Sequence, residues 1–483
     1  MDEATSPPRE RLSKAFVSLR EAAVTLLAAI ATLLAVLRIY PEASAGVLAV
    51  VLSISLARSH LDHGMRERLE AVLALPLVAL VAAGVGFLLQ RLPWLGALVF
   101  TAGLAVSIGL RRFGSRAARV GSLIALPFVT LLVTPYARPT QAGPLPAMLM
   151  PIVVALTALA SVTLFQTLAR RLRALPPASF VPPVRPPAQA EGAMRPEAST
   201  RMAIQMAVAL AASFVVGYAF FGERWSWIVL TAFIVQSGNR GRLDVAYKSV
   251  LRVAGAAAGT VVALVSATQL GSHDAATVAL ILAAVFFGLW LRPLGYAWWA
   301  LFVTLALALL QGFTGAPAQH ILWPRLEEIV IGATIGVASA WFVLPVRSTA
   351  VLRRRIADAL AALSDALDPA RAERSADAFI ASLARVEQVT PPFAAARFLA
   401  GRSRRADAAR WIDALRACRA PALALIAIGT ASPRARKAVG TARKALLDPP
   451  RLEAALEDLH AALVRATSEG ACEPPIEAPS AQH

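Results

Sequence analysis

The stretch from residue 225 to residue 260 carries the side chains that could bind an organic anion. The candidates for a substrate path are one aromatic, two basic and three amide or hydroxyl side chains: Trp227, Arg242, Arg252, Gln236, Ser237 and Asn239. A guanidinium group offers two parallel hydrogen bonds to a carboxylate, which lysine does less well. Arg252 would line an anion pathway, snorkel to the headgroups or bind lipid phosphate, and the three polar side chains equally fit a helix end.

Two glycines follow Arg252 at helical spacing. Gly255 and Gly259 are four residues apart, so they share one face of a helix and allow a second helix to approach closely. Arg252 lies three residues before Gly255, on the same face. We therefore predict a packed helix pair beside the candidate path.

The segment that precedes this helix is short. Trp225–Gln236 has about 12 residues, or roughly 18 Å as a helix, whereas a hydrocarbon core is roughly 30 Å thick. Ala45–Ala57 is about equally short at the matching position of the first half. Short segments at equivalent positions of two repeats point to a central substrate site. The alternative is a pair of tilted helices with polar ends in the headgroups.

Twelve apolar runs supply the elements that position these residues. They are Ala22–Leu37, Ala45–Ala57, Ala71–Leu89, Leu92–Leu110, Val120–Tyr136, Pro146–Leu168, Met202–Phe221, Trp225–Gln236, Ser249–Ala267, Ala275–Leu291, Tyr296–Leu310 and Ile329–Leu344. Backbone amides in lipid must be satisfied within their own segment, so the runs are predicted to be helices. With 16% charged residues and a mean hydropathy of +0.61, the composition excludes an ordinary soluble protein.

The net charge of +18 is distributed by loop. Arginines and lysines cluster before the first run and after each even-numbered run, whereas the opposite loops carry few. Positive residues stay in the cytoplasm, so the alternation predicts twelve spans with both termini cytoplasmic. The same distribution argues against a nucleic-acid partner and makes the lipid bilayer the first partner of the chain.

The predicted fold class is an all-α integral membrane protein with two parallel six-helix repeats and a C-terminal cytoplasmic helical bundle. Six helices per half is an even number, so both halves enter the membrane in the same sense. The predicted divisions are a cytoplasmic segment 1–20, a first half 21–173, a proline-rich linker 174–201, a second half 202–346 and a cytoplasmic domain 347–483. Helices of this last domain are predicted at Ala350–Leu367, Ala376–Val389, Ala406–Ile428 with a kink at Pro421, Arg434–Leu447 and Leu452–Thr467.

Enzymatic chemistry is not indicated. The sequence has no Ser-His-Asp set, metal-ligand cluster or phosphate-binding loop on one side of the membrane, so no cofactor and no metal are predicted. Both cysteines, Cys418 and Cys472, lie in the tail. Apart from Glu70 at a helix edge, no apolar run contains an acidic residue, which argues against proton coupling through an intramembrane carboxylate.

The second half resembles a known family. The segment Trp227-x-x-Leu230-Thr231 ending at Gln236, the basic loop after it, and Arg252-x-x-Gly255-x-x-x-Gly259 are similar to the fusaric acid resistance (FUSC) family. The resemblance covers mainly Arg195–Leu344. That family includes bacterial exporters of aromatic carboxylic acids and more distantly resembles the aluminium-activated malate transporters of plants. The first half lacks the Arg-x-x-Gly-x-x-x-Gly pattern.

This resemblance implies a transporter of the bacterial inner membrane that exports hydrophobic or aromatic organic anions from the cytoplasm. It also implies a periplasmic membrane-fusion adaptor as a partner, and a homo-oligomer is a further expectation. Three alternatives remain open: a channel-like anion conduit, a major-facilitator-type transporter, and a membrane anchor whose tail recruits a partner.

Overall fold

The computed structural model describes most of the chain. The described residues are 8–57, 65–113, 149–175, 198–267, 275–313, 318–370, 375–400, 407–429 and 432–471, with single positions and pairs between 117 and 132. Within these ranges the protein is helical and contains no strand, so the all-α prediction is confirmed. The chain divides into two compact units: the first holds residues up to 239 and 248–345, and the second holds 240–247 and the residues from 346 onward.

Among the described residues, eleven helices lie wholly or mainly in the first unit. They are α1 (Pro8–Ile39), α2 (Ala43–Ala57), α3 (Met65–Arg91), α4 (Pro93–Gly109), α5 (Met150–Arg171), α6 (Ala198–Val216), α7 (Trp225–Gln236), α8 (Arg242–Ala267), α9 (Ala275–Leu291), α10 (Tyr296–Phe313) and α11 (Ala318–Phe342). Each corresponds to one predicted apolar run, and the remaining run, Val120–Tyr136, is helical at the positions that are described. Most of the proline-rich linker falls outside the described residues. Helix α1 begins inside the predicted N-terminal segment, because its charged residues continue the helix.

Of the helices that the structure describes, five stretches are long and apolar enough to cross a membrane: Ala15–Ile39, Met150–Arg171, Ser199–Gln236, Arg242–Ser266 and Ala275–Leu294. Four shorter apolar helices, Ser44–Ala57, Leu75–Arg91, Pro93–Gly109 and Tyr296–Gln311, accompany them. Large apolar side chains such as Leu98, Val261 and Phe342 face outward, as expected of surfaces that meet lipid. These features fit a multi-pass membrane protein.

The helices of the first unit pack in two groups. In the first half α1, α2 and α5 pack on one another around Val36, Leu52 and Val154. In the second half α6, α7 and α11 pack together in the same way. Among the described helices, α4 packs on α6 and α1 packs on α9, and both contacts join the halves.

In the described part of the chain after residue 345, the second unit contains seven helices: α12 (Ser348–Ala366), α13 (Asp377–Glu387), α14 (Thr390–Ala400), α15 (Asp407–Ala417), α16 (Arg419–Ile428), α17 (Pro433–Ala445) and α18 (Pro449–Ala471). They surround one core that includes Leu360, Phe379, Ile412 and Leu456. The long helix predicted over Ala406–Ile428 is divided near Cys418, before Pro421. The sequence analysis missed α14, because its prolines resemble a linker although they occupy the first turn, where no backbone N–H is needed.

Cys418 is fully buried in this core, where its Sγ lies 3.4 Å from the Ala414 carbonyl oxygen and 3.5 Å from that of Leu456. Burial raises the pKa of the Cys418 thiol to about 12, because the thiolate would lose its hydration. A thiol in this state is a packing element and not a nucleophile.

Candidate functional site

Helices α7 and α11 approach each other closely through two glycines. A Cβ atom on Gly332 would lie 2.5 Å from the carbonyl oxygen of Ile228, and one on Gly336 would lie 3.2 Å from Cγ1 of Val235. Only a residue without a side chain allows the first approach. The order of these contacts shows that the two helices run in the same direction. The sequence analysis did not single out this glycine pair.

Helices α8 and α10 form a second close pair. A Cβ on Gly255 would lie 2.7 Å from the Ala297 carbonyl oxygen, and one on Gly259 would lie 2.5 Å from that of Leu301. The structure therefore places both predicted packing glycines against another helix. This pair also runs in the same direction.

Arg252 projects from α8 into the interior of the first unit. The side chain is 2% exposed, and its Nε atom has no hydrogen-bond partner. No hydrogen bond or ion pair connects its guanidinium to any described residue. It lies ten residues after the start of the helix, which is about 15 Å along the axis. The buried hydroxyl groups of Ser249 and Thr260, on the same helix, also lack partners.

Arg325 is a second buried arginine, on α11. It is 2% exposed, and its guanidinium carbon lies 3.7 Å from the centroid of the Trp227 ring. Its Nη1 donates to Oε1 of Gln311 at 3.1 Å, whereas Nε and Nη2 have no partner. The charge of Arg252 lies within Coulombic reach of this group. The structure thus brings the predicted Trp227 and Arg252 to one region and adds Arg325.

The sequence analysis missed Arg325 because it began the last span at Ile329. Helix α11 begins at Ala318 and continues through Pro324. A proline followed by charged residues resembles a loop in the sequence. Here Pro324 lies within α11, near the N-terminal turns of the helix. No local sequence pattern marks this arginine, because its aromatic partner Trp227 lies 98 positions earlier in the chain.

Glu328, one turn after Arg325, is a buried carboxylate. It is 1% exposed, and its Oε1 lies 3.5 Å from Nη1 of Arg224, whose own side chain is half exposed. That Oε1 atom accepts no hydrogen bond. The apolar run predicted at Ile329–Leu344 contains no acidic residue, but α11 begins before this run and carries the buried carboxylate of Glu328.

The connection between α6 and α7 positions Arg224. Residues Gly217–Phe221 are wound as a π-helix, and the 3-10 turn Gly222–Arg224 follows. A Cβ on Gly217 would lie 2.7 Å from Cβ of Trp225, so glycine lets the chain fold back on itself. This compact connection brings α7 beside α6 and sets Arg224 near Glu328.

The predicted hydrogen-bonding residues at the end of α7 mostly bond within the protein. Gln236 donates from Nε2 to the Gly336 carbonyl oxygen at 2.8 Å, and it accepts from Nδ2 of Asn239 at 2.9 Å. Asn239 keeps one buried oxygen, Oδ1, without a partner. Ser237 is half buried, and its carbonyl oxygen lies 3.5 Å from Nζ of Lys248. Gln236 therefore joins α7 to α11, and Asn239 keeps spare hydrogen-bonding capacity at a buried position.

Arg242 is not brought together with Arg252. It is exposed and belongs to the second unit, where its backbone N–H donates to the Val346 carbonyl oxygen at 3.0 Å. Two other glutamines within the spans bind carbonyl groups at the ends of neighbouring helices: Gln205 donates to Val343 and Gln166 donates to Ala57.

The described part of the chain shows no group of three or more His, Cys, Asp or Glu side chains that could hold a metal ion. The site consists instead of two buried guanidinium groups, one indole ring and one buried carboxylate. Such a site can hold a negatively charged, partly apolar molecule.

The comparison with protein families covers this region. Residues 208–339 match the family described as fusaric acid resistance protein-like, and this match includes Trp227, Arg252, Arg325 and Glu328. No curated protein and no solved structure matches the chain. The match confirms the family resemblance predicted from the residue pattern: the second half of this chain is similar to the fusaric acid resistance protein-like family.

Proposed function

We propose that the protein is a membrane transporter that exports hydrophobic or aromatic organic anions, such as aromatic carboxylates, from the cytoplasm. The observation that carries the proposal is the buried pair Arg252 and Arg325, which together leave several N–H groups without acceptors. Glu328 is the single buried carboxylate near them among the described residues, and its ion pair is with Arg224.

The energetics of this pair favour a bound anion. Removing a guanidinium from water costs several kcal/mol unless the charge is paired and its N–H groups are bonded. Arg252 has neither kind of compensation within the described residues. Arg325 has its cation–π contact with Trp227, and a desolvated contact of this kind is worth about 2 kcal/mol. A carboxylate between the two arginines would supply the missing charge and the missing acceptors.

The shape of the groups favours an aromatic acid. Guanidinium groups bind carboxylates through two parallel hydrogen bonds, which fixes the orientation of the acid. The indole of Trp227 is 8% exposed and lies in an apolar surrounding that includes Leu230. An aromatic ring attached to the carboxylate would find apolar and aromatic surface there, whereas a small inorganic anion would not.

The remaining features of the transporter are parts of the same proposal. The arginine pattern of the loops supports an inner-membrane protein with cytoplasmic termini. The contacts between the halves support a parallel repeat, since the fourth helix of each half packs on the first helix of the other: α4 on α6 and α9 on α1. A periplasmic membrane-fusion adaptor and a homo-oligomer are proposed partners on the strength of the family resemblance.

Transport of radiolabelled benzoate and 1-naphthoate by the purified protein in liposomes tests the proposal. Arg252→Gln and Arg325→Gln should abolish uptake, and Arg252→Lys should weaken it clearly, because lysine keeps the charge but loses the paired hydrogen bonds. Arg91→Gln is the matched control, since Arg91 is an exposed arginine of the first half. Its transport should equal that of the wild type.

Equal activity of the Arg252 and Arg325 variants at matched protein levels would refute the role of the arginine pair. The site would then have to include Asn239, whose Oδ1 atom is unbonded. Uptake that does not saturate with substrate concentration would favour the channel-like conduit over the transporter.

A further inference from the structure

Glu328 occupies a position that the binding of an organic anion alone does not explain. Its carboxylate is almost completely buried one helical turn from Arg325, yet no hydrogen bond joins the two side chains. Its ion-pair partner Arg224 is half exposed, so this arginine also links the carboxylate to the exterior. A buried acid with one weakly bonded oxygen can exist either ionised or protonated at little structural cost.

The charged groups around Glu328 can be enumerated by element. Arg224 faces it from the connection before α7, and Arg325 and the exposed Glu327 lie on its own helix α11. The charge of Arg252, on α8, acts on Arg325. Of the other helices packed on α11, α6 carries the single charged residue Arg201 at its distant end, and α10 carries the titratable Tyr296 at its start. Within the described residues, Glu328 is therefore the buried acidic group that lies one helical turn from Arg325.

We propose that Glu328 links proton binding to anion binding at the site of Arg252 and Arg325. The negative charge of an ionised Glu328 weakens the attraction of Arg325 for a bound carboxylate, and it also repels that carboxylate. When the carboxylate of Glu328 takes up a proton and becomes a neutral acid, both effects disappear. The anion and one proton therefore bind together, each strengthening the binding of the other.

This inference rests on the proposed function and adds its energy coupling. A monocarboxylate that moves with one proton carries no net charge across the membrane. The membrane potential then does not drive the movement, and export follows the outward gradient of the acid, against the inward gradient of the proton. A channel-like conduit, in contrast, would carry a current.

Binding of benzoate and 1-naphthoate to the purified full-length protein tests the linkage. Titration calorimetry in two buffers of different ionisation enthalpy, between about pH 6 and pH 8 where both probes are ionised, measures affinity and proton uptake together. The wild type should take up as much as one proton per anion, and Kd should rise by as much as about tenfold per pH unit. Glu328→Gln should bind the probes with a constant Kd and without proton uptake.

Two further variants make the result specific. Glu327→Gln, at the exposed neighbouring position, should behave like the wild type. Glu328→Asp should keep the proton uptake, and it provides a second measurement in case the glutamine variant does not accumulate. In liposomes, wild-type uptake should be unchanged when a potassium gradient with valinomycin sets the membrane potential.

The outcomes separate this inference from the proposed function. Anion binding without proton uptake, or an unchanged pH dependence in Glu328→Gln, would overturn the inference and leave the anion site standing. A wild-type protein that binds neither probe at any pH would overturn the proposed function, and the inference with it.

Discussion

Replacing Arg252 with methionine should stabilise the protein while abolishing transport. Arg252 is 2% exposed, and no described residue bonds or neutralises its guanidinium. Methionine has a similar length and flexibility, so it can fill the same space between α8 and its neighbours. The substitution removes an uncompensated charge and leaves no former partner unbonded.

The expected change in the free energy of unfolding follows from the contacts that Arg252 makes and lacks. Replacing buried ionic groups with apolar residues of similar volume is neutral to stabilising by about 1–4 kcal/mol. Arg252 should lie toward the upper part of this range, because it has no hydrogen bond to lose. The same change at Arg325 should gain less, because it removes the bond to Gln311 and the contact with Trp227.

Thermal unfolding of the purified protein in detergent, followed by tryptophan fluorescence, measures the effect. Arg252→Met should unfold at a higher temperature than the wild type, and the exposed control Arg91→Met should not differ from it. An excess of 1-naphthoate at a hundred times its Kd should stabilise the wild type by about 2.7 kcal/mol and leave Arg252→Met unchanged. If Arg252→Met unfolds at a clearly lower temperature, the guanidinium has partners that stabilise the fold, and the argument for an anion site fails.

Three further predictions address the helix pairs, the second unit and the topology. Gly332→Leu and Gly259→Leu should each lower the yield of folded protein in size-exclusion chromatography, because a side chain would meet a carbonyl oxygen of the paired helix at 2.5 Å. The control Gly84→Leu, at a position with nothing within 4 Å, should keep the normal yield. Normal yields of the first two variants would refute the close packing. In a Cys472→Ala protein, Cys418 should react with maleimide only after unfolding, and rapid labelling of the native protein would contradict this. The free energy of unfolding should fall as the pH rises from about 9 toward 12, because only the unfolded thiol releases its proton in this range. Reporter fusions after Arg173 and at His483 should both report the cytoplasm, and a periplasmic signal from either would refute the predicted topology.

The helical architecture could be predicted because it depends on local properties. Runs of apolar residues specify helices in lipid whatever they pack against, and eleven of these runs lie in described helices. The boundaries of the helices were harder to predict from the sequence. Pro324, Arg325 and Glu328 have the composition of a loop, and the helix continues through them because α7 covers this face.

The site could be predicted in part for the same reason. Arg252 and Trp227 lie in a segment whose pattern is unusual by itself, so the sequence indicates them. The contribution of Arg325 depends on its packing over Trp227, a contact between residues 98 positions apart that no local pattern encodes. Gln236 was ambiguous in the sequence, since its role as a bond between helices depends on where Gly336 lies.

The two glycine-mediated contacts also have a mechanical consequence. Arg325 is carried by the α7–α11 pair and Arg252 by the α8–α10 pair, and within each pair a carbonyl oxygen fits where a side chain would be. Helices packed so closely tend to move as one rigid body, because sliding would force backbone atoms together. The separation of the two guanidinium groups is then set by the angle between the α7–α11 pair and the α8–α10 pair. A probe that measures this separation would report directly on each stage of a transport cycle.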